Sequence, residues 1–278
     1  MPVLTVVQWV LYLLLSVSLV MLFALSCNLL GLSIAFIRSR RKPARSQTAV
    51  ETVPEIAEYP RVLVQLPAFN EGMLIERAIQ AAAMDWPRDR LTIQVLDDST
   101  DGSEEISRRF AEELRLTGVD IKVIHRRDRT GFKAGALNRA LRITADEAEV
   151  IAVLDADYAV SPHWLSRLAP AFSDPAVGLV QAPQEHRDGD QSLLKRLMAA
   201  EYRAFFDSGM VERNEDNALI AHGTMIMVRR SALEDLGGWS EWCIVEDTEL
   251  GLTLLEQGWK QHYTTERLGA GITPDSFK

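Results

Sequence analysis

The sequence predicts an α/β fold: a mostly parallel central sheet flanked by helices, preceded by one N-terminal helix long enough to cross a membrane. Three observations carry this reading. From residue 61 onward, short β-rich runs alternate with stretches of helical periodicity, and the runs are near-continuously apolar, as strands buried on both faces are. Polar clusters close several of these runs, and ligands of open parallel sheets gather outside those strand ends. Residues 6–37 contain no charged side chain.

The first segment, "VVQWVLYLLLSVSLVMLFALSCNLLGLSIAFI", exceeds the roughly 20 residues a spanning helix needs. It is followed by Arg38, Arg40, Arg41, Lys42 and Arg45, a one-sided positive flank that is expected to face the cytoplasm. A cleaved signal peptide would put positive charge ahead of a shorter apolar core, but Met1 to Gln8 holds no Lys or Arg. "ALSC" at residues 24–27 weakly resembles a lipoprotein cleavage site, yet the apolar run continues to Ile37. The stretch "KPARSQTAVETVPEIAEY" is polar and aperiodic, as a linker is. The expected division is a membrane anchor over 1–38, a basic and polar linker over 39–60, and one α/β domain over 61–278.

In that domain the expected strands are "RVLVQLPA", "LTIQVLDD", "DIKVIHR", "EVIAVLDAD" and "VGLVQAP", with helical spacing in "ISRRFAEELRL" and "AGALNRALRI". After Gln184 the rhythm changes to a long helix over "SLLKRLMAAEYRAFFDSGMVER", a strand-like "ALIAHGTMIMVRR" and a helix through "VEDTELGLTLLEQG". These are expected to extend the same sheet.

A net charge of -9 argues against a nucleic-acid partner, which needs a basic face. Cys27 and Cys243 lie in unlike surroundings and are expected to be reduced thiols. His125, His163, His186, His222 and His262 lack metal-ligand spacing.

The carboxylates carry the functional signal. Asp97 and Asp98 end one expected strand, Asp155 and Asp157 another, and Glu246 and Asp247 open a later helix. Carboxylates converging on one sheet edge repel, and a divalent cation is the simplest stabiliser. Oxygen ligands favour Mg²⁺ or Mn²⁺, and Mg²⁺ uses few protein carboxylates plus substrate phosphates, so a phosphorylated substrate is implied. Plainer roles stand beside this one. Asp97, Asp98, Ser99 and Asp101 suit a turn and helix cap, Asn70 and Glu71 a helix start, Glu246 and Asp247 a favourable helix N-terminus, and Lys133 a solvated surface position. Trp239 and Trp242 suit a core or rim, with sugar stacking as the alternative.

In order, "QLPAFNE", "VLDDSTDG", "GFKAGALN", "VLDADY" and "GGWSEWCIVEDTELGLTLLEQGWK" resemble the motifs of processive family-2 glycosyltransferases of GT-A fold, the cellulose, mannan and glucan synthase group. The resemblance implies inverting, metal-dependent transfer from a UDP-sugar to a glycan or lipid acceptor at a membrane, with the catalytic domain in the cytoplasm. It implies that Asp97, with Asp98, holds the uracil ring, and that Asp155 faces the donor. Asp157, with Asp155, would ligate Mg²⁺ or Mn²⁺, and Asp247, beside Glu246, would be the general base. Lys133 would lie near the nucleotide, and Pro67, Asn70 and Glu71 fall in the same nucleotide-sugar site. "VED" stands where many relatives have "TED". Processive members carry Q-x-x-R-W soon after a stretch like "GITPDSFK", so the chain is expected to be cut before that motif. The alternative is a fragment that binds the donor without efficient transfer. A haloacid-dehalogenase-like phosphatase is the rival enzyme, disfavoured because the D-x-D run is followed by Ala159 and closes the fourth strand instead of the first. A dinucleotide oxidoreductase lacks its glycine fingerprint.

Overall fold

The computed structural model describes residues 2–39, 58–143 and 148–274. It divides into two compact units, an N-terminal helix and an α/β domain. Helix α1 spans Pro2–Ser39. Its stretch Val6–Gly31 has a mean hydropathy of 2.5 and no buried side chain, and at 1.5 Å per residue its 26 residues exceed the ~30 Å hydrocarbon core of a bilayer. Ser26 and Ser33 donate to the carbonyls of Leu22 and Leu29, so these hydroxyls need no outside partner. The basic flank from Arg40 to Arg45 and nearly all of the expected linker lie outside the described residues.

The α/β domain begins with β1 (Val62–Ala68), α2 (Leu74–Ala82), β2 (Leu91–Asp97), α3 (Ser103–Arg115), β3 (Asp120–His125), α4 (Phe132–Ile143) and β4 (Val150–Val153). It continues through β5 (Ala159–Val160), α5 (Trp164–Leu168), β6 (Val177–Gln181), α6 (Leu193–Ala204), α7 (Met210–Glu215) and β7 (Ile226–Arg229). It ends with α8 (Arg230–Asp235), α9 (Glu246–Glu256), β8 (Lys260–Tyr263) and β9 (Gly269–Ala270). Seven strands form one sheet in the order β3-β2-β1-β4-β7-β6-β8, and β5 pairs with β9 in a separate ribbon. Within the seven-stranded sheet all neighbours are parallel except β7, which runs against β4 and β6, and the β5–β9 pair is antiparallel.

The chain leaves β1 on one side for β2 and β3, then returns to its other side at β4. That reversal makes the crevice beyond the ends of β1 and β4 the topological switch point, where open α/β sheets bind ligands. Successive side chains of β1 enter opposite cores: Val62, Val64 and Leu66 pack with Ile75, Ile79 and Ile93, whereas Leu63 packs with Leu137, Ile151 and Leu250. Between strands, buried Gln65 donates to Gln94 at 3.0 Å, and Gln94 donates to the Ala140 carbonyl at 3.1 Å.

Three expected elements differ. The strand expected to reach Asp157 ends at Val153, and the chain turns at once, with Tyr158 N–H bonded to the Asp155 carbonyl at 3.1 Å. The long helix after Gln184 is interrupted by a π-helical turn at Phe205–Gly209 before α7. The expected strand over 218–230 is reduced to β7, because Met225 adopts φ 58° and breaks the extended backbone. Helix α2 follows Asn70 and Glu71, where a helix start was one of the expectations, and buries Ile75, Ala78, Ile79 and Ala82 at helical spacing; α5, β8 and the β5–β9 ribbon are short and were not expected.

Candidate active site at the switch point

Lys133, in the first turn of α4, organises the crevice. Its Nζ donates to Asp155 Oδ1 at 2.6 Å and to the Gly223 carbonyl at 2.8 Å. The Thr224 hydroxyl accepts from Asp155 N–H at 3.0 Å, so the segment before β7 is stitched to the loop after β4. A Cβ at Gly223 would lie 2.9 Å from Lys133 Nζ and 3.1 Å from Asp247 Oδ2, which puts Lys133 and Asp247 on either side of a position with no room for a side chain. Asp247 opens α9, where the helix dipole favours its charge, and its Oδ1 accepts from Thr248 N–H at 2.7 Å. Its neighbour Glu246 is buried.

These groups share one electrostatic field. Burial works to lower the Lys133 pKa, but Asp155, Glu246 and Asp247 outweigh it and hold the ammonium above its usual value. Burial lifts Glu246 above the carboxylate range; Lys133 opposes this, while Asp247 and Asp155 add to it. Glu71, on the loop after β1, is raised by burial and then by Asp157 and Asp155. Asp157 is raised by burial and by Asp155, against the opposing pull of the Ile272 amide and Arg187.

Asp157 is held differently from Asp155. Ile272 N–H donates to its Oδ2 at 3.2 Å, while Arg187 Nη1 donates to its backbone carbonyl at 2.8 Å and to that of Ala270 at 3.2 Å. Among the described residues no Lys, Arg or His forms an ion pair with the Asp157 carboxylate. The strap bearing Ile272 is fixed one residue later, where Thr273 donates to buried Asp188 from both N–H (2.9 Å) and Oγ1 (3.0 Å). Lys195 Nζ donates to the same carboxylate at 2.6 Å. Among the described residues no three His, Cys, Asp or Glu side chains form a metal cage by themselves.

The other expected site residues serve the loops. Asp97 is fully buried; it accepts from Ser99 N–H at 2.8 Å and from Ser107 Oγ at 2.5 Å, and so presents no free edge to the crevice. Asp98 pairs with Arg126 through Nε at 2.8 Å and Nη2 at 2.5 Å. Both were expected to touch the base directly, and here both are satisfied by protein. Asn70, at φ 56°, donates its N–H to Ser99 Oγ and accepts from Thr100 N–H, each at 2.8 Å, tying the loops after β1 and β2 together. Pro67 lies opposite Leu96 of β2, past the last β4 partner at Gln65, where a missing N–H costs that ladder nothing. The crevice therefore gathers Glu71, Lys133, Asp155, Asp157, Glu246 and Asp247. Sequence reasoning missed Gly223, Thr224, Arg126, Arg187 and Asp188; the Gly-Thr pair inside an apolar run was the one readable signal, as a breaker.

A mostly parallel sheet with an acidic crevice at its switch point is the GT-A arrangement. Residues 60–278 match the model of the family described as Glycosyltransferase like family 2, and the chain belongs to that family. It is 33% identical over 270 residues to glucomannan 4-beta-mannosyltransferase 7 of Arabidopsis thaliana, covering 92% of this chain and 48% of that protein. It is 37% identical over 215 residues to a probable glucomannan 4-beta-mannosyltransferase 7 of Oryza sativa subsp. japonica, covering 74% and 36%. The chain thus spans about half the length, or less, of the curated relatives it matches. Among solved structures it resembles the mannosyltransferase PcManGT from Pyrobaculum calidifontis, in complex with GDP-Man and Mn²⁺, with a TM-score of 0.68 and 26% identity over 91% of this chain and 68% of that one. S. aureus TarS 1-349 in complex with UDP shares the fold, with a TM-score of 0.56 and 17% identity over 77% and 60%.

Proposed function

We propose that this domain transfers a hexosyl group, with inversion, from a nucleoside diphosphate sugar to a glycan or lipid acceptor at a membrane, on the cytoplasmic side. The observation that carries the reading is how Lys133 divides the acidic residues. It neutralises Asp155 and is anchored on the Gly223 carbonyl, with Asp247 packed beyond Gly223. Asp157, by contrast, receives no cation from the described residues.

The Asp157 carboxylate suits a hard divalent ion. Burial and Asp155 make its charge costly, and the Ile272 amide and Arg187 offset only part of that cost. Mg²⁺ or Mn²⁺ would use Asp157 and, secondarily, Asp155, completing its shell with diphosphate oxygens and water. When bound, such an ion supplies charge neutralisation for the departing diphosphate. The Mn²⁺ in PcManGT supports this assignment.

Asp247 is the better candidate for the base. Glu246 is buried and pushed toward its neutral form, whereas Asp247 lies beside Gly223 at the mouth of α9. An acceptor hydroxyl attacks opposite the leaving group, so the residue taking its proton and the residue facing the diphosphate belong on different sides of the sugar. The resemblance of the motifs implied a UDP-sugar. The plant relatives are mannosyltransferases and PcManGT was solved with GDP-Man, so the donor proposed here is a GDP-hexose, with mannose first.

The test is titration of the full chain in detergent with GDP and UDP, with and without Mn²⁺, beside a transfer assay. Asp157→Ala loses the Mn²⁺-dependent part of nucleotide binding. Asp247→Ala keeps binding and loses about 10²–10⁴ in transfer rate, the range general-base removal carries. Equal loss of nucleotide binding in both variants contradicts the roles, and phosphate release from a simple aryl phosphate would favour the phosphatase alternative instead.

A further inference from the structure

The sheet rim beyond β1 and β3 carries a cation that the site above does not use. Arg129 lies over the Phe69 ring with Cζ 3.4 Å from the centroid, and the Phe132 ring is 5.8 Å away. Its Nε is buried without a hydrogen-bond partner, and among the described residues it forms no ion pair. Elsewhere in this chain of net charge -9, Arg108, Arg115, Arg126, Arg230 and Arg267 each find a carboxylate, whereas Arg129 has an aromatic face in place of one.

The surrounding loop is built to present this side chain. Asp98 holds Arg126 in a two-pronged fork, and Arg126 in turn donates to the Thr130 carbonyl at 3.2 Å and the Phe132 carbonyl at 2.8 Å. That clamp holds Phe132 at φ 47°, a conformation a bulky residue rarely adopts. On the other side, Asn70 follows Phe69 at φ 56° and is tied to Ser99 and Thr100. Backbone held in sparsely populated regions by surrounding bonds is concentrated at ligand clamps. The platform also runs directly into the crevice, since Phe132 precedes Lys133 and Phe69 is followed by Asn70 and Glu71.

We propose that Arg129 reads the nucleobase of the donor and selects guanine; this rests on the GDP-hexose reading above. A guanidinium offers parallel N–H donors in a fixed fork. Guanine presents O6 and N7 as adjacent acceptors on one edge, which that fork satisfies together. Adenine sets an amino donor beside N7, and uracil sets an N–H between its carbonyls, so either base leaves one prong facing a donor. Phe69 holds the guanidinium flat, and Phe132, 62% exposed, offers an aromatic face of the kind on which bases stack.

The test is isothermal titration of GDP, UDP and ADP against the full chain in detergent with Mn²⁺, comparing wild type, Arg129→Gln and Arg129→Lys. The wild type prefers GDP. Arg129→Gln loses about ten- to a hundredfold in GDP affinity, the worth of a two-pronged arginine–guanine pair, and stays within about twofold for UDP. Arg129→Lys keeps the charge without the fork and behaves as Arg129→Gln does. A wild type that prefers GDP alongside variants that keep that preference, or that lose GDP and UDP equally, overturns the role of Arg129 and leaves the donor reading standing. A wild type with no GDP preference removes the donor reading, and the inference falls with it.

Discussion

The strap that carries Ile272 to Asp157 depends on one buried ion pair, and breaking it has a calculable cost. Asp188 and Lys195 are 5% and 7% exposed. Burial alone would raise the Asp188 pKa, but Lys195 and the two Thr273 hydrogen bonds outweigh it and hold the carboxyl at about 2, against an ordinary 3.8. At ~1.4 kcal/mol per unit, that depression contributes about 2 kcal/mol to folding. Because the folded pKa is the lower one, the contribution is complete above about pH 4 and is lost as pH falls toward about 2. Asp188→Asn keeps an acceptor for Thr273 but removes the charge, and is expected to cost about 2 kcal/mol at pH 7. Asp188→Ala removes both the charge facing Lys195 and the acceptor for Thr273, and is expected to cost about 3–5 kcal/mol. Replacing both partners, as Asp188→Leu with Lys195→Met, takes both charges out of the buried site and is expected to recover most of the loss. Urea unfolding of the full chain in detergent, followed by tryptophan fluorescence, reads these as shifts of midpoint at constant slope. Mn²⁺-dependent nucleotide affinity should fall with the strap while Mn²⁺-free affinity holds. Single-variant costs below about 1 kcal/mol, or a double variant worse than both singles, would refute the reasoning.

The same electrostatics give three further expectations. Asp157 is held above its ordinary pKa, so its ionised form costs stability at neutral pH, and Asp157→Asn without divalent cation is expected to melt at or above the wild-type temperature. With nucleotide and Mn²⁺ the order should reverse, since only the wild type gains from the bound ion, and differential scanning fluorimetry reads both arms. Glu71 and Asp157 are both held above their ordinary pKa values by burial and by neighbouring carboxylates, so Mn²⁺-dependent nucleotide affinity is expected to weaken with acid at a higher pH than it does in an Asp157→Asn, Glu71→Gln variant. Acid profiles that coincide for the wild type and that variant would contradict the direction of those shifts. Gly223→Ala would set a methyl 2.9 Å from Lys133 Nζ and 3.1 Å from Asp247 Oδ2, forcing the flexible lysine off the Gly223 carbonyl. It is expected to lose transfer with a melting temperature within a few degrees of wild type, and full activity would show that the lysine bridge is dispensable.

Much of the sheet was legible because its strands are apolar throughout. "RVLVQLPA" and "LTIQVLDD" became β1 and β2 with one residue trimmed from one end. Strand β8 was not, since Lys260–Tyr263 reads "KQHY" and reveals itself only through pairing with β6. The carboxylates were all visible in the sequence, but their duties were not, because duty depends on what lies across the fold. Asp97 and Asp98 are adjacent, so the pleat sends them to opposite sides. No local signal says that Ser107 waits for one and Arg126 for the other. Lys133 reaches Asp155 over 22 residues and Gly223 over 90, separations that no spacing rule covers.

What separates these acidic residues in three dimensions is whether the protein has already supplied a counter-charge. Asp98 has Arg126, Asp188 has Lys195, and Asp155 has Lys133. The first two pairs are almost wholly buried and act as struts for a loop and a strap, whereas the third is a quarter to a third exposed and faces the crevice. Asp157 alone of the four has no such partner among the described residues, although burial and Asp155 both work against its charge. A carboxylate flanked by bonded struts and paired with no cation among the described residues is the place our proposal gives to a cation that arrives with the substrate. On that proposal the acid rim is half of a site, and the diphosphate of the donor supplies the other half.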